Sequence, residues 1–232
     1  MGNWGFPALF QSMIFIAIIA LGISLISRYE NKVEDVITNH SKMNLGNIRT
    51  RLIEKKALPA ALTVFFLSTV FGAVISFIAL CAKEIGITQV GLFFTVNAFV
   101  MIISRPFAGL WSDRNGNKIV VLTGLLSMMI SMAIVASAKN LATFLPAGVF
   151  FGLGFGFCLP SLQALAVRNV LPQRRGAANG TFFTGLDLGI GLGTIFWGWV
   201  ASLVGYQQMY LLTIIPLILS GLVFWRSYPK EC

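Results

Sequence analysis

The sequence predicts an all-α polytopic membrane protein with seven transmembrane helices. Three observations carry that prediction. Of 232 residues, 56% are hydrophobic and only 11% charged, against about 25% charged in an ordinary soluble domain. Long charge-free stretches run over 1–27, 57–82, 85–104, 119–138 and 140–167, and Asp187 is the single charge between 177 and 225. The apolar runs do not alternate with period two, as the strands of a membrane barrel would, so helices are the remaining solution for crossing hydrocarbon.

A helix of about 20 apolar residues crosses the roughly 30 Å of hydrocarbon. On that measure the spans fall at about 5–27, 58–82, 88–110, 119–138, 142–168, 177–203 and 208–225, with Gly205-Tyr206-Gln207-Gln208 separating the last two. Between the first two lies a linker, 28–56, holding eleven of the 25 charged residues. Within it Leu45, Ile48, Leu52 and Ile53 recur at helical spacing beside Lys42, Arg49 and Lys56, the pattern of a basic amphipathic helix on a membrane surface; a solvated tether is the plainer alternative. The domain reading is therefore a lone helix over 1–27, a cytoplasmic linker over 28–56, and a six-helix unit over 57–232.

Orientation follows from Lys and Arg in the short loops. With 28–56 in the cytoplasm, fifteen of the seventeen basic residues fall on that side, leaving Lys83 and Lys139 opposite. The amino terminus is then outside and the carboxyl terminus in the cytoplasm. The formal net charge of +9 is explained by this topology, and no nucleic-acid partner is expected. Met1 to Ser27 has no basic residue ahead of its apolar core, unlike a secretory leader, so the chain either inserts with its amino terminus outside or begins partway through a larger protein. No catalytic or metal constellation stands out: one histidine, His40, and three cysteines, Cys81, Cys158 and Cys232, match no ligand spacing. The expectation is a protein that is not an enzyme and holds no cofactor, with the lipid bilayer as its first partner.

The most informative stretch is Arg105-Pro106-Phe107-Ala108-Gly109-Leu110-Trp111-Ser112-Asp113-Arg114-Asn115-Gly116-Asn117-Lys118. Gly109 suits a close helix approach, Asn115-Gly116 a tight turn with Gly at positive φ. Asp113 precedes the next helix, whose amino-terminal dipole favours a carboxylate, and Arg105, Arg114 and Lys118 are near enough in sequence to pair with it. The stretch reads as a short charged hairpin between spans that slide or rock.

It also resembles the loop signature of the major facilitator superfamily, G-x-L-a-D-r-x-G-r-k. Gly109, Asp113, Arg114, Gly116 and Lys118 match, while Trp111 and Asn117 depart from it. The glycine-rich span with Gly148, Gly152, Gly154, Gly156 and Pro160 is similar to the family's tenth. Pro172, Arg175, Gly176, Ala178 and Gly180 are similar to the lead-in to its eleventh, although Arg168 stands where the family often has an acid. Gly2 to Phe10 looks like the start of its sixth. The resemblance implies span six, the central linker and spans seven to twelve. It further implies secondary transport of a small solute, with proton-coupled efflux as the expected direction, by a chain that is incomplete without a separately encoded amino-terminal half. A membrane interaction or sensor protein on the same bundle is the competing reading.

Asp187 is the only ionisable residue deep in a span, where a charge costs on the order of 3 kcal/mol. It reads as a proton-coupling or substrate-facing group, or else as a neutral carboxyl in the contact made by Gly185, Gly189 and Gly193. Asn97, Gln163, Asn179, Thr181 and Thr184 are cavity-lining candidates, each with helix-to-helix hydrogen bonding as the alternative. Phe182, Phe183, Phe196, Trp197 and Trp199 could stack on an aromatic solute or face lipid. Trp4 and Tyr210 suit the outer aromatic belt, and Cys81 and Cys158 suit small apolar packing positions.

Overall fold

The computed structural model describes residues 11, 13–15, 17–22, 53–168 and 170–228. The chain divides at Gly46/Asn47 into two units. In the first, the described residues of Met13–Gly22 form a short apolar helical segment. The expected amphipathic helix around Leu45 and Ile48, the Gly2–Phe10 resemblance and Trp4 lie outside the described residues.

Among the described residues of the second unit, the regular secondary structure is all helical. Its helices are α1 (Leu58–Glu84), α2 (Gly91–Asn115), α3 (Asn117–Ser137), α4 (Leu141–Arg168), α5 (Arg175–Val204), α6 (Tyr206–Leu212) and α7 (Ile214–Ser227). A 3-10 turn, Lys55–Ala57, leads into α1, and another, Pro172–Arg174, into α5. Helices α6 and α7 meet at Thr213 and together make one crossing, so this unit has six segments long and apolar enough to span a bilayer. The sequence places the six spans to within a few residues, except that α2 continues through Pro106 to Asn115. What reads as a hairpin loop is therefore mostly the last three turns of α2. The reversal falls on Gly116 alone, at φ +83°, and Gly205 makes the equivalent reversal after α5, also at φ +83°. Both positions require the left-handed backbone that glycine adopts without penalty.

Small residues set the packing. Glycines of α4 face two ways: Gly152 lies against the Asn97 carbonyl of α2, where a Cβ would stand 2.6 Å from that oxygen, and Gly154 lies against Gly124 and Met128 of α3. Gly185, Gly189 and Gly193 of α5 rest on Ala61, Phe65 and Thr69 of α1, and Gly72 of α1 rests reciprocally on Ile190. With no hydrophobic drive between helices in lipid, such close backbone approach and hydrogen bonds hold a bundle together. Hydroxyls supply the latter: Ser127 and Ser131 of α3 donate to the Phe150 and Ala147 carbonyls of α4, both at 2.7 Å, and Ser220 of α7 donates to Thr63 of α1 at 2.8 Å. These registers make α1 parallel to α5, α2 parallel to α4, and α3 antiparallel to α4. Phe71 of α1 stacks on Phe155 of α4 with centroids 4.2 Å apart, joining the two groups at the core.

Two sequence expectations fail here. Tyr210 does not belong to an outer aromatic belt: it is fully buried and its hydroxyl donates to the Ala73 carbonyl at 3.0 Å. Among the described residues Gly109 makes no close helix approach, since a Cβ there would meet nothing within 4 Å. The packed side of α2 is the one carrying Phe93, Ser104 and Ala108, and Gly109 is turned away from it. Cys81 and Cys158 do pack as small buried groups, Cys158 with its Sγ 3.4 Å from the Val121 carbonyl.

Candidate functional site

Helix α5 positions the most telling side chain. Pro172 opens the 3-10 turn ahead of it, and the helix then runs for 30 residues until Gly205 stops it. Its glycine row faces α1. Asp187 lies two residues from both Gly185 and Gly189, about 160° round the helix from each, and so points away from α1. It is exposed within this unit and accepts no hydrogen bond among the described residues. Counted from Arg175, it stands about 18 Å along the axis, near the middle of the span. The reading of Asp187 as a neutral carboxyl tucked into the glycine contact is inconsistent with this placement: Gly185, Gly189 and Gly193 are spent on α1.

The neighbours of Asp187 on that face mix small or polar groups with apolar ones, since Phe183, one turn earlier, is exposed too. Thr184 is exposed and donates to the Gly180 carbonyl at 2.8 Å. A Cβ at Gly191 would meet nothing within 4 Å. Thr194, two turns beyond Asp187, reaches Ser76 of α1, hydroxyl to hydroxyl at 3.4 Å. Among the described residues no basic side chain forms an ion pair with the Asp187 carboxylate.

The other cavity candidates separate. Thr181 is structural: buried, it donates to the Ala177 carbonyl and accepts the Glu54 backbone N–H at 3.0 Å. Asn97 is half-buried at the α2–α4 contact and Asn179 half-buried near the start of α5; each has a buried Oδ1 with no hydrogen-bond partner among the described residues. Gln163 is half-buried on α4. Phe182 and Trp197 are buried, whereas Phe183, Phe196 and Trp199 are exposed on α5.

The loop motif is dispersed rather than assembled. Arg105, Asp113 and Arg114 are exposed, and no ion pair joins Asp113 to Arg105, Arg114 or Lys118 among the described residues. Asp113 sits in the last turn of α2, at its carboxyl-terminal end, because the helix extends further than the sequence reading allowed. The turn is closed by the Gly116 N–H donating to Ser112 at 2.9 Å and by the Ser112 hydroxyl donating to Asn117. Lys118 instead places its ammonium 3.8 Å from the centroid of the Trp225 ring on α7, a cation–π contact that ties the start of α3 to the end of α7.

One polar assembly has no counterpart in the sequence reading. Glu54, just ahead of α1, forms an ion pair with Arg174, just ahead of α5, and Arg174 also donates to the Ile53 carbonyl at 3.4 Å. The Arg174 hydrogen bond holds the Glu54 carboxyl below its usual range, with the Lys56 backbone N–H adding to the effect against the opposing pull of burial. Since the partners are 120 residues apart, no local spacing announces them.

Comparison with known proteins accords with this architecture. The chain is 31% identical over 171 residues to the multidrug resistance protein MdtG of Dickeya zeae (strain Ech586), a match covering 71% of this chain and 42% of that protein. It is 29% identical over 174 residues to the protein of that name from Yersinia enterocolitica (72% and 42% covered), and 31% identical over 173 residues to that of Escherichia coli O6:K15:H31 (72% and 42%). The chain thus spans about two-fifths of the length of these relatives. The family profile described as Major Facilitator Superfamily matches residues 57–231, the whole of the six-helix unit. The chain belongs to the major facilitator superfamily.

Proposed function

We propose that this chain supplies one half of a secondary transporter that exports a small, drug-like solute in exchange for protons, and that it transports only when a second helical half covers α2 and α5. In this reading the lone helix of 1–27 and the linker of 28–56 precede the six-helix half of 57–232. The protein sits in the plasma membrane with its amino terminus outside and its carboxyl terminus in the cytoplasm. The observation that carries the proposal is Asp187: a mid-span carboxylate on a face of α5 that nothing among the described residues covers. Transporters of this kind bind solute near the midplane, between two halves that rock. The multidrug resistance names of the relatives support an exported solute, and the basic residues gathered at one end of the bundle support the orientation.

The test is flux through proteoliposomes containing the chain alone, or the chain with a separately supplied amino-terminal half of an MdtG-type relative, with and without a proton gradient. The lone chain should show no flux and the pair should show gradient-dependent flux. Asp187→Asn should abolish the gradient dependence of the pair, and unchanged coupling in that variant would remove Asp187 from the mechanism. Flux by the lone chain would overturn the need for a second half.

A further inference from the structure

We infer that Arg105 binds the acid group of the transported solute, which makes that solute an organic anion, a carboxylate or phosphate on a small apolar body. The inference rests on the transporter reading above and adds the charge of the solute to it. Helix α2 runs over 25 residues, Gly91–Asn115, without interruption at Pro106. About 20 residues of helix cross the hydrocarbon. Wherever 20 of these 25 are set in it, Arg105 lies at least five residues, about 8 Å, from an edge. The length of α2 thus makes Arg105 a second ionisable group inside a span, besides Asp187. Helical side chains lean toward the amino-terminal end, so Arg105 leans away from the nearer, carboxyl-terminal edge. It is exposed, and its guanidinium has no ion-pair or hydrogen-bond partner among the described residues. A charge at this depth is costly and marks an ion or solute path. The guanidinium stays charged, and its planar fork of donors matches the paired oxygens of a carboxylate or phosphate.

The two flanks of α2 differ in what they can face. Between them Ser104 packs on Gly156 of α4. On the flank about 200° from Arg105, Ile103 and Phe107 join Leu153 and Phe157 of α4 around an apolar cavity of about 420 Å³. Lipid chains satisfy that flank. On the flank of Arg105 itself, Phe94, Ala98, Gly109 and Ser112 fall within about 40° of it and Ile102 about 60° away. A Cβ on Gly109, one turn on, would meet nothing within 4 Å. Mostly apolar surface with an open position beside one fixed positive charge suits a molecule that is itself part apolar and part anionic.

The test uses the full chain paired in proteoliposomes with the amino-terminal half of an MdtG-type relative. The pair is treated with the arginine reagent phenylglyoxal, and each arginine is followed by peptide mass spectrometry. The anions 2-naphthoate and 2-naphthyl phosphate should slow the modification of Arg105 several-fold. Neutral 2-naphthamide should not, and Arg226 at the end of α7 should react equally throughout. Binding of the labelled anions should fall about ten-fold in Arg105→Gln and less in Arg105→Lys, which keeps the charge without the fork. Binding of 2-naphthamide should change less than about two-fold. Arg105 left unprotected by both anions would overturn the assignment, as would an Arg105→Gln variant that loses anions and amide alike, the mark of a structural role. Loss of co-purification of the two halves in that variant would place Arg105 on an acidic residue of the second half and overturn it equally. Protection of Arg105 without gradient-dependent flux would keep the anion site and remove the exporter, whereas flux of 2-naphthamide with Arg105 unprotected would do the reverse.

Discussion

Helices α1 and α5 run parallel in close contact and are nearly the same length, 27 and 30 residues, yet they are buried very differently. In the most apolar stretch of each, half the residues around α1 are buried against 22% around α5; for the parallel pair α4 and α2 the figures are 50% and 17%. Each pair thus holds one interior helix and one with a bare side. Hydropathy does not make the difference, since all four are apolar enough to span a bilayer. Glycines, on the interior helix α4 of one pair and the barer helix α5 of the other, let one side of each pair close to backbone contact. The opposite sides diverge in chemistry. Helix α2 exposes Phe99, Ile102, Phe107 and Leu110, which lipid or another helix satisfies equally well. Helix α5 likewise exposes Leu188, Ile195 and Trp199, but among them stands Asp187, a mid-span carboxylate that lipid does not satisfy.

The largest expected effect separates the closed side from the open one. Gly152→Leu drives a side chain into the Asn97 backbone, which has no rotamer to yield. It should cost about 3 kcal/mol or more and leave a chain that aggregates on purification. Gly191→Leu, added to open space on α5, should stay within about 0.5 kcal/mol. Thermal melting of both variants in the same detergent, followed by circular dichroism, decides the matter; equal losses would mean that the bare side of α5 is not bare in solution.

How much of this was readable beforehand depends on whether a feature is local. The spans, the Gly116 reversal and the Gly185–Gly189–Gly193 contact depend on residues within a few positions of one another, and the sequence places them. The phase of Asp187 relative to that row was also readable, because two residues are about 200° of helix, and it would have excluded the glycine-contact alternative at once. Gly109 and Tyr210 were misjudged for a different reason. A glycine or a tyrosine near a span end has several compatible settings, and only the tertiary partner (nothing for Gly109, the Ala73 carbonyl for Tyr210) chooses among them. The Glu54–Arg174 pair is of this second kind, formed across 120 residues.

Of intermediate size is the test of that hidden hydrogen bond. Tyr210→Phe removes the hydroxyl and leaves the Ala73 carbonyl without that donor in a dry core. A loss of about 1 kcal/mol is expected, seen as a lower melting temperature with no change in helicity. No loss would show that the α1–α6 contact rests on shape alone.

The smallest effect concerns the point at which α5, bare along its middle, is tied to α1 at its first turn. Because Arg174 holds the Glu54 carboxyl below its ordinary range, the folded chain binds that proton more weakly than the unfolded chain does. The stabilisation is therefore whole above the unfolded value of about 4.3 and is lost as pH falls below it through the lowered folded value. A melting series from pH 7 to pH 3 should show an acid-side decline in the wild type that is shallower in Glu54→Gln, with the two curves parallel above pH 5. If instead the variant matches the wild type at every pH, the clamp contributes nothing and α5 is held to α1 by its glycine row and by Ile190 and Thr194 against Gly72 and Ser76. That outcome would leave the grip of α1 on α5 to these contacts further along the helix, with the Asp187 carboxylate taking no part in it.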